Sequence, residues 1–326
     1  MKKLFAIVMV ALLCSCQPKT VQKDGGVIID LEIGDSQTSP ADIAKTADII
    51  KKRAELFCTS NPIVIISSRN VHIEMPLIND TNVCKTLLFQ KGEFEIMESY
   101  EAQKVLPYLA EINTKLVENK NYDLKFPSDS TKIKDNPLFN LLSINETMVE
   151  NGVHQIQTGP AVGLVQESDT ALMNAIFNHK ELSILLPRDL KFKWAKERRS
   201  EEISLFMLIA TKTRGISSQK LITSDMIMDS KIDDRGGRPE IMITLKPEFH
   251  QRWARITGEN ISLSLPMLFD NNVVSYPTVA DEIKGGKSSI SGNFSAEEAK
   301  AMVAILKFGV LPTKVSVKKF SIVFVK

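Results

Sequence analysis

The stretch from Leu265 to Pro312, LPMLFDNNVVSYPTVADEIKGGKSSISGNFSAEEAKAMVAILKFGVLP, constrains this chain most. Leu263, Leu265, Met267 and Phe269 alternate with Ser262, Ser264, Pro266 and Leu268, the period of two that marks a half-buried strand. Asp270-Asn271-Asn272 predicts a turn, because Asn and Asp tolerate positive φ. Val273 to Val279 then reads as a second β-branched run. Gly285-Gly286 and Gly292 bracket a short strand over Lys287 to Ser291. A helix follows. Ser295 is the N-cap, Glu298 completes a capping box, and Ala299, Met302, Val303 and Leu306 share one face. Gly309 and Pro312 predict its stop. These residue types call for an α/β subdomain.

The order and spacing of these residues resemble the first periplasmic domain of SecD, the membrane subunit that assists the Sec protein-export channel. The residues carrying the resemblance are Asp270, Val274, Ser275, Pro277, Val279, Ile283, Gly285, Gly286, Ile290, Ser291, Gly292, Phe294, Glu298, Ala299, Leu306, Gly309, Leu311 and Pro312. Similar pieces lie upstream: Ile49, Ile50, Arg53 and Phe57 on a helix after the first strand, and FEIMESYE from Phe94. DNPLFNLL and GPAVGLV resemble the form fused to SecF in Bacteroidetes-type bacteria. The resemblance runs from about residue 26 to about residue 320. It implies a job in export and contact with unfolded preprotein or with the Sec/SecDF machinery. It makes Phe269, Val273, Tyr276 and Ile290 candidate polypeptide-binding residues. Gly285, Gly286, Gly292 and Gly309 read as structural turn and close-packing positions.

The start, MKKLFAIVMVALLCSCQPK, pairs a positive Lys2-Lys3 with a ten-residue apolar run, Leu4 to Leu13. That run is shorter than the roughly 20 residues a membrane span needs. Leu13-Cys14-Ser15-Cys16 resembles a bacterial lipobox, so Cys16 is the expected lipidation site. Each buried acyl CH₂ contributes about 0.8 kcal/mol to membrane anchoring. Gln17 after the cysteine favours the outer over the inner membrane for a periplasm-facing envelope lipoprotein. Cys58 and Cys84 remain. In an oxidising compartment they either pair or stay as two buried thiols.

Read in order, the domains are a signal peptide (1–15), a tether (16–25), a ferredoxin-like base (26–100), a helical and loop-rich connecting region with strands (101–215), a SecD-like head (216–312) and a closing strand (313–326). The expected class is α+β: a ferredoxin-like βαββαβ base with an inserted α/β head subdomain. Its six elements are assigned from 26 to 97, with EFEIM, Glu93 to Met97, as the last strand. In that topology the helices bearing Cys58 and Cys84 share a face. His72 reads as a solvent-face strand residue. Pro107 should kink or break the helix from Glu101 to Asn119. Arg235-Gly236-Gly237-Arg238 reads as a hairpin turn, because a phosphate cradle needs a helix after it.

The formal net charge is +2, and losing Lys2 and Lys3 from the 41 basic residues leaves 39 against 39 acidic ones. A neutral chain has no general electrostatic attraction to nucleic acid. No nucleophile elbow, P-loop, HExxH or CxxC motif is present, and the four histidines are scattered. The chain therefore reads as no enzyme, with no cofactor and no metal. Two functions follow: a lipid-anchored module that binds or guides unfolded polypeptide in export without proton-motor activity, or a structural or regulatory protein that docks on envelope machinery without chaperone activity.

Overall fold

The structure is a computed structural model and describes residues 19–78, 80–119, 122–124, 135–148, 154–197, 204–213 and 221–324. Cys14, Cys16 and the lipobox lie outside them. The chain forms two compact units, one from residues up to 88 together with 313 onward, the other from Phe89 to Pro312.

The first unit is a four-stranded antiparallel sheet. Its strands Gly26–Ile33, Ile63–Ser67, Asn70–Pro76 and Val315–Val323 lie in the order last, first, third, second. Helices Pro40–Phe57 and Thr81–Phe89 complete a βαββαβ sequence. This is the ferredoxin-like order, but its sixth element is not the one assigned from sequence. The strand at 94–96 belongs to the other unit, paired with Met267–Phe269 and Ile222–Thr223. Its alternation, Phe94 and Ile96 buried and Glu95 half-buried, says that one face is covered and not which sheet covers it. The nine-residue strand 315–323 takes the place, pairing with 26–33 through a register shift between Asp30 and Leu31.

Alternation explains the base. Val27, Ile29, Leu31 and Ile33 face the helices together with Val71, Ile73 and Met75, all at most 1% exposed. The long helix starts where Ser39 caps the Asp42 N–H and Pro40 occupies the first turn. Its buried stripe holds Ala47, Ile50, Ala54 and Phe57. Part of the expected tether is folded. Val21–Asp24 is a helical turn with Val21 fully buried, Asp24 accepts from the Thr20 N–H, and Leu77 N–H bonds Gly25. A buried valine holds this segment down, which its polar neighbours conceal.

The second unit contains a nine-stranded sheet. Along it run 222–223, 94–96, 267–269, 272–275, 190–197, 205–212, 161–166 and 143–144, with 98–99 also pairing 205–212. All its pairs are antiparallel except 190–197 with 272–275. A smaller antiparallel sheet orders Ile227–Asp233, Glu240–Leu245 and Lys287–Ile290. One apolar cluster joins this sheet to helices His250–Glu259 and Ala296–Phe308 through Trp253, Ile256, Ala299 and Val303. A second packs helices Ala102–Glu118 and Thr170–Asn178 against the large sheet. Helix 102–118 carries Pro107 without interruption, so the expected break does not occur. Pro107 removes a single intrahelical hydrogen bond, the one its N–H would make to the Gln103 carbonyl, and the helix continues on both sides of it.

Candidate functional site

The stretch that organised the sequence folds as read, with shorter strands. Met267–Phe269 and Asn272–Ser275 form a hairpin whose turn residues Asp270 and Asn271 have φ of 45° and 71°. The Asp270 carboxylate accepts from the backbone N–H of Gly92 (3.0 Å) and of Glu93 (2.8 Å). The turn thereby fixes the start of the 94–96 strand. Ser275 Oγ donates to the Ser291 carbonyl, tying the hairpin to the end of the 287–290 strand. Helix 296–308 begins with the capping box: Glu298 N–H bonds Ser295 Oγ (3.1 Å), and Ser295 N–H bonds the Glu298 carboxylate (2.9 Å).

Two of the four glycines are required by close approach. A Cβ on Gly286, at φ +62°, would lie 2.1 Å from the His250 ring. That ring is held by its Nε2–H, which donates to the Leu245 carbonyl at 3.0 Å. A Cβ on Gly292 would meet the Phe294 ring at 2.5 Å. Gly285 has open space around it, and Gly309 ends the helix at φ +82°.

Three of the four side chains expected to meet polypeptide are interior. Phe269 is 2% exposed, Val273 3% and Ile290 0%, and Tyr276 is half-buried. The Phe269 and Phe94 rings meet tilted, with centroids 5.2 Å apart. Both hairpin strands are flanked on each side in the large sheet, 267–269 by 94–96 and 272–275 by 190–197, so neither offers a free edge. An alternating strand shows which residues share a face, and sheet order alone shows whether that face is covered. The 287–290 strand does lie at an edge, paired only with 240–245 within its sheet.

The other sequence candidates separate. Cys58 and Cys84 are buried thiols not joined in a disulfide. Burial, then the Asp80 charge and then Cys58 push the Cys84 thiol up to about 12. His72 stands on the sheet face turned away from the helices. Its Nδ1 lies 2.6 Å from Asp30 and its Nε2 3.3 Å from Glu74. The hydrogen bond to Asp30 raises its pKa, assisted by Glu74 and opposed by burial. The 235–238 segment is a hairpin turn in which the Arg235 guanidinium binds Asp233 through Nε and Nη2, holding that carboxyl down at about 2. Among the described residues no group of His, Cys, Asp and Glu is arranged to hold a metal, and no helix is long and apolar enough to cross a membrane.

Sequence reasoning passed over a cleft of about 490 Å³ at the end of helix 170–178. It lies between that helix, the 183–188 segment and the strand 190–197. Phe177 and Phe192 meet there with ring centroids 4.2 Å apart. Asn174, Asn178 and the exposed Arg188 also line it, and Ile184, 78% exposed, stands at its side. No carboxylate does. The only sequence signal is an Asn pair four residues apart flanking a phenylalanine in LMNAIFNH, ordinary for a helix surface.

Residues 207–313 match the family described as "SecDF, P1 head subdomain". Along 295 residues, 84% of this chain, the protein is 26% identical to protein translocase subunit SecD of Rhodothermus marinus. This is a SecD-like chain. The subunit SecD of Leptotrichia buccalis is 38% identical over 84 residues, 26% of this chain and 21% of its own length. A crystal structure of SecDF in a super-membrane-facing form aligns with 93% of this chain and 31% of that one, at 18% identity and a TM-score of 0.48. The chain spans less than half the length of the curated relatives it matches, 45% for the Rhodothermus protein.

Proposed function

We propose that this SecD-like chain is a module of protein export in the cell envelope that engages unfolded polypeptide, held to a membrane through a lipid on Cys16. The observation that carries this reading is the match of residues 207–313 to the SecDF P1 head. The alignment with SecD across 84% of the chain supports it, since base and head are both included. The hairpin interior is closed to a client. The 287–290 strand is the last in its sheet, and an extended segment adds to such an edge through main-chain hydrogen bonds. Proton-driven work is not part of this reading.

The test mixes the purified chain with a urea-unfolded preprotein on dilution. Slower aggregation, together with photocrosslinks from a probe at Lys287, is the expected result. Absence of both, with a SecD periplasmic domain active alongside, overturns the reading. Metabolic labelling with a fatty acid tests the anchor: the label is expected on the parent chain and absent from Cys16→Ser. Affinity capture from detergent-solubilised envelopes tests the docking alternative, which one stoichiometric partner supports and a broad spread of nascent chains opposes.

A further inference from the structure

We propose that the cleft at the end of helix 170–178 is a peptide-binding site, selective for extended segments that carry apolar and acidic side chains. The proposal rests on the polypeptide-binding reading and gives it a second, separate location.

The hydrogen-bonding capacity of the two asparagines decides the ligand. The Trp194 indole N–H donates to Asn174 Oδ1 at 3.1 Å. Asn178 Nδ2 donates to the Asn174 backbone carbonyl at 2.7 Å. An indole N–H only donates and a backbone carbonyl only accepts, so the orientation of both amides is determined. Asn174 therefore keeps its Nδ2 donor, and Asn178 its Oδ1 acceptor, without a partner among the described residues. They stand one turn apart, about 6 Å along the helix. One donor and one acceptor at that interval match what an extended peptide presents along its backbone, an accepting carbonyl and a donating N–H.

The remaining features narrow the side chains. Phe177 and Phe192 provide an aromatic floor for an apolar residue. Arg188 is exposed, has no ion pair among the described residues, and meets no acidic residue in the lining. Its guanidinium favours a carboxylate on the ligand over an ammonium. A volume of about 490 Å³ suits a short segment rather than a folded domain.

The protein supplies its own reporter. It has two tryptophans, and Trp253 is 2% exposed in the other cluster, so a ligand at the cleft perturbs Trp194. The full chain is titrated with an acetylated peptide of Leu, Phe and Asp, and with one carrying Lys for Asp. Saturable change in tryptophan fluorescence is expected with the acidic peptide and about tenfold weaker binding with the basic one. Arg188→Gln should reduce that preference, the remainder coming from Lys191, the other cation in the lining. Asn178→Asp, nearly isosteric, should weaken the acidic peptide about tenfold by placing a second anion in the site. Circular dichroism shows that both variants fold. No saturable response in the parent chain, or unchanged binding in both folded variants, overturns the proposal. Preprotein binding is measured on the same samples. If the parent and both variants bind preprotein alike while the peptide is ignored, the cleft falls and the polypeptide-binding reading stands. If the peptide binds and preprotein does not, the cleft stands and that reading falls.

Discussion

At the scale of single residues, buried and half-buried groups have consequences that solution chemistry can read. Cys84 is fully buried with a thiol pushed up to about 12, so it holds almost no thiolate near neutral pH. Alkylation of the native chain at pH 8 should leave Cys84 unmodified. Unfolding in urea without reductant should then label Cys58 and Cys84 together, by mass. Rapid native labelling of Cys84 would contradict the burial, and failure to label after unfolding would show a disulfide instead of two thiols. His72 gives a pH signature. Its folded pKa is raised above the unfolded value of about 6.5, so the stability it adds is complete below that value. It is lost as pH rises through the folded pKa. The urea midpoint of the base unit should fall as pH rises from about 6 to 8, and His72→Gln should flatten that slope. Gly286→Ala should destabilise by more than about 1 kcal/mol, because positive φ and the His250 ring both oppose a Cβ. Gly285→Ala, with open space, should change stability by under about 0.5 kcal/mol. Thermal melts of the pair decide it.

Among elements, local signals and sheet assignment behaved differently. The capping box at Ser295 and Glu298 was legible because its partners are three residues apart in sequence. Ser295→Ala should cost about 1 kcal/mol, seen as a lower melting temperature of the head. The strand Glu240–Leu245 is legible in the same local way, since β-branched and apolar residues alternate between clear turns. The 94–96 strand was also recognised as a strand, yet assigned to the wrong sheet. Its neighbours, 222–223 and 267–269, lie far along the chain, and no local pattern names a partner. The hairpin at 267–275 failed as a binding surface for the same reason. The cleft was invisible because its asparagines become informative only once Trp194 and Phe192, on a different strand, fold against helix 170–178.

Over the whole molecule, the base is closed by a strand that follows the entire second unit. Gly26–Ile33 pairs with Val315–Val323 along nearly its full length. Ending the chain at Pro312 should therefore unfold the base and leave the unit from Phe89 to Pro312 cooperative, as read by limited proteolysis. An intact base in the shortened chain would show that the closing strand is dispensable. By itself the sequence determined the α+β class, the first five elements of the base, the helix caps, the turns and the likeness to SecD. These depend on residue types at short, constant spacing. Only the tertiary structure decided which strand completes the base, which apolar faces are covered, and that Phe269, Val273 and Ile290 are core. Burial is a property of neighbours brought together across hundreds of residues, and alternation records a face without naming what lies against it.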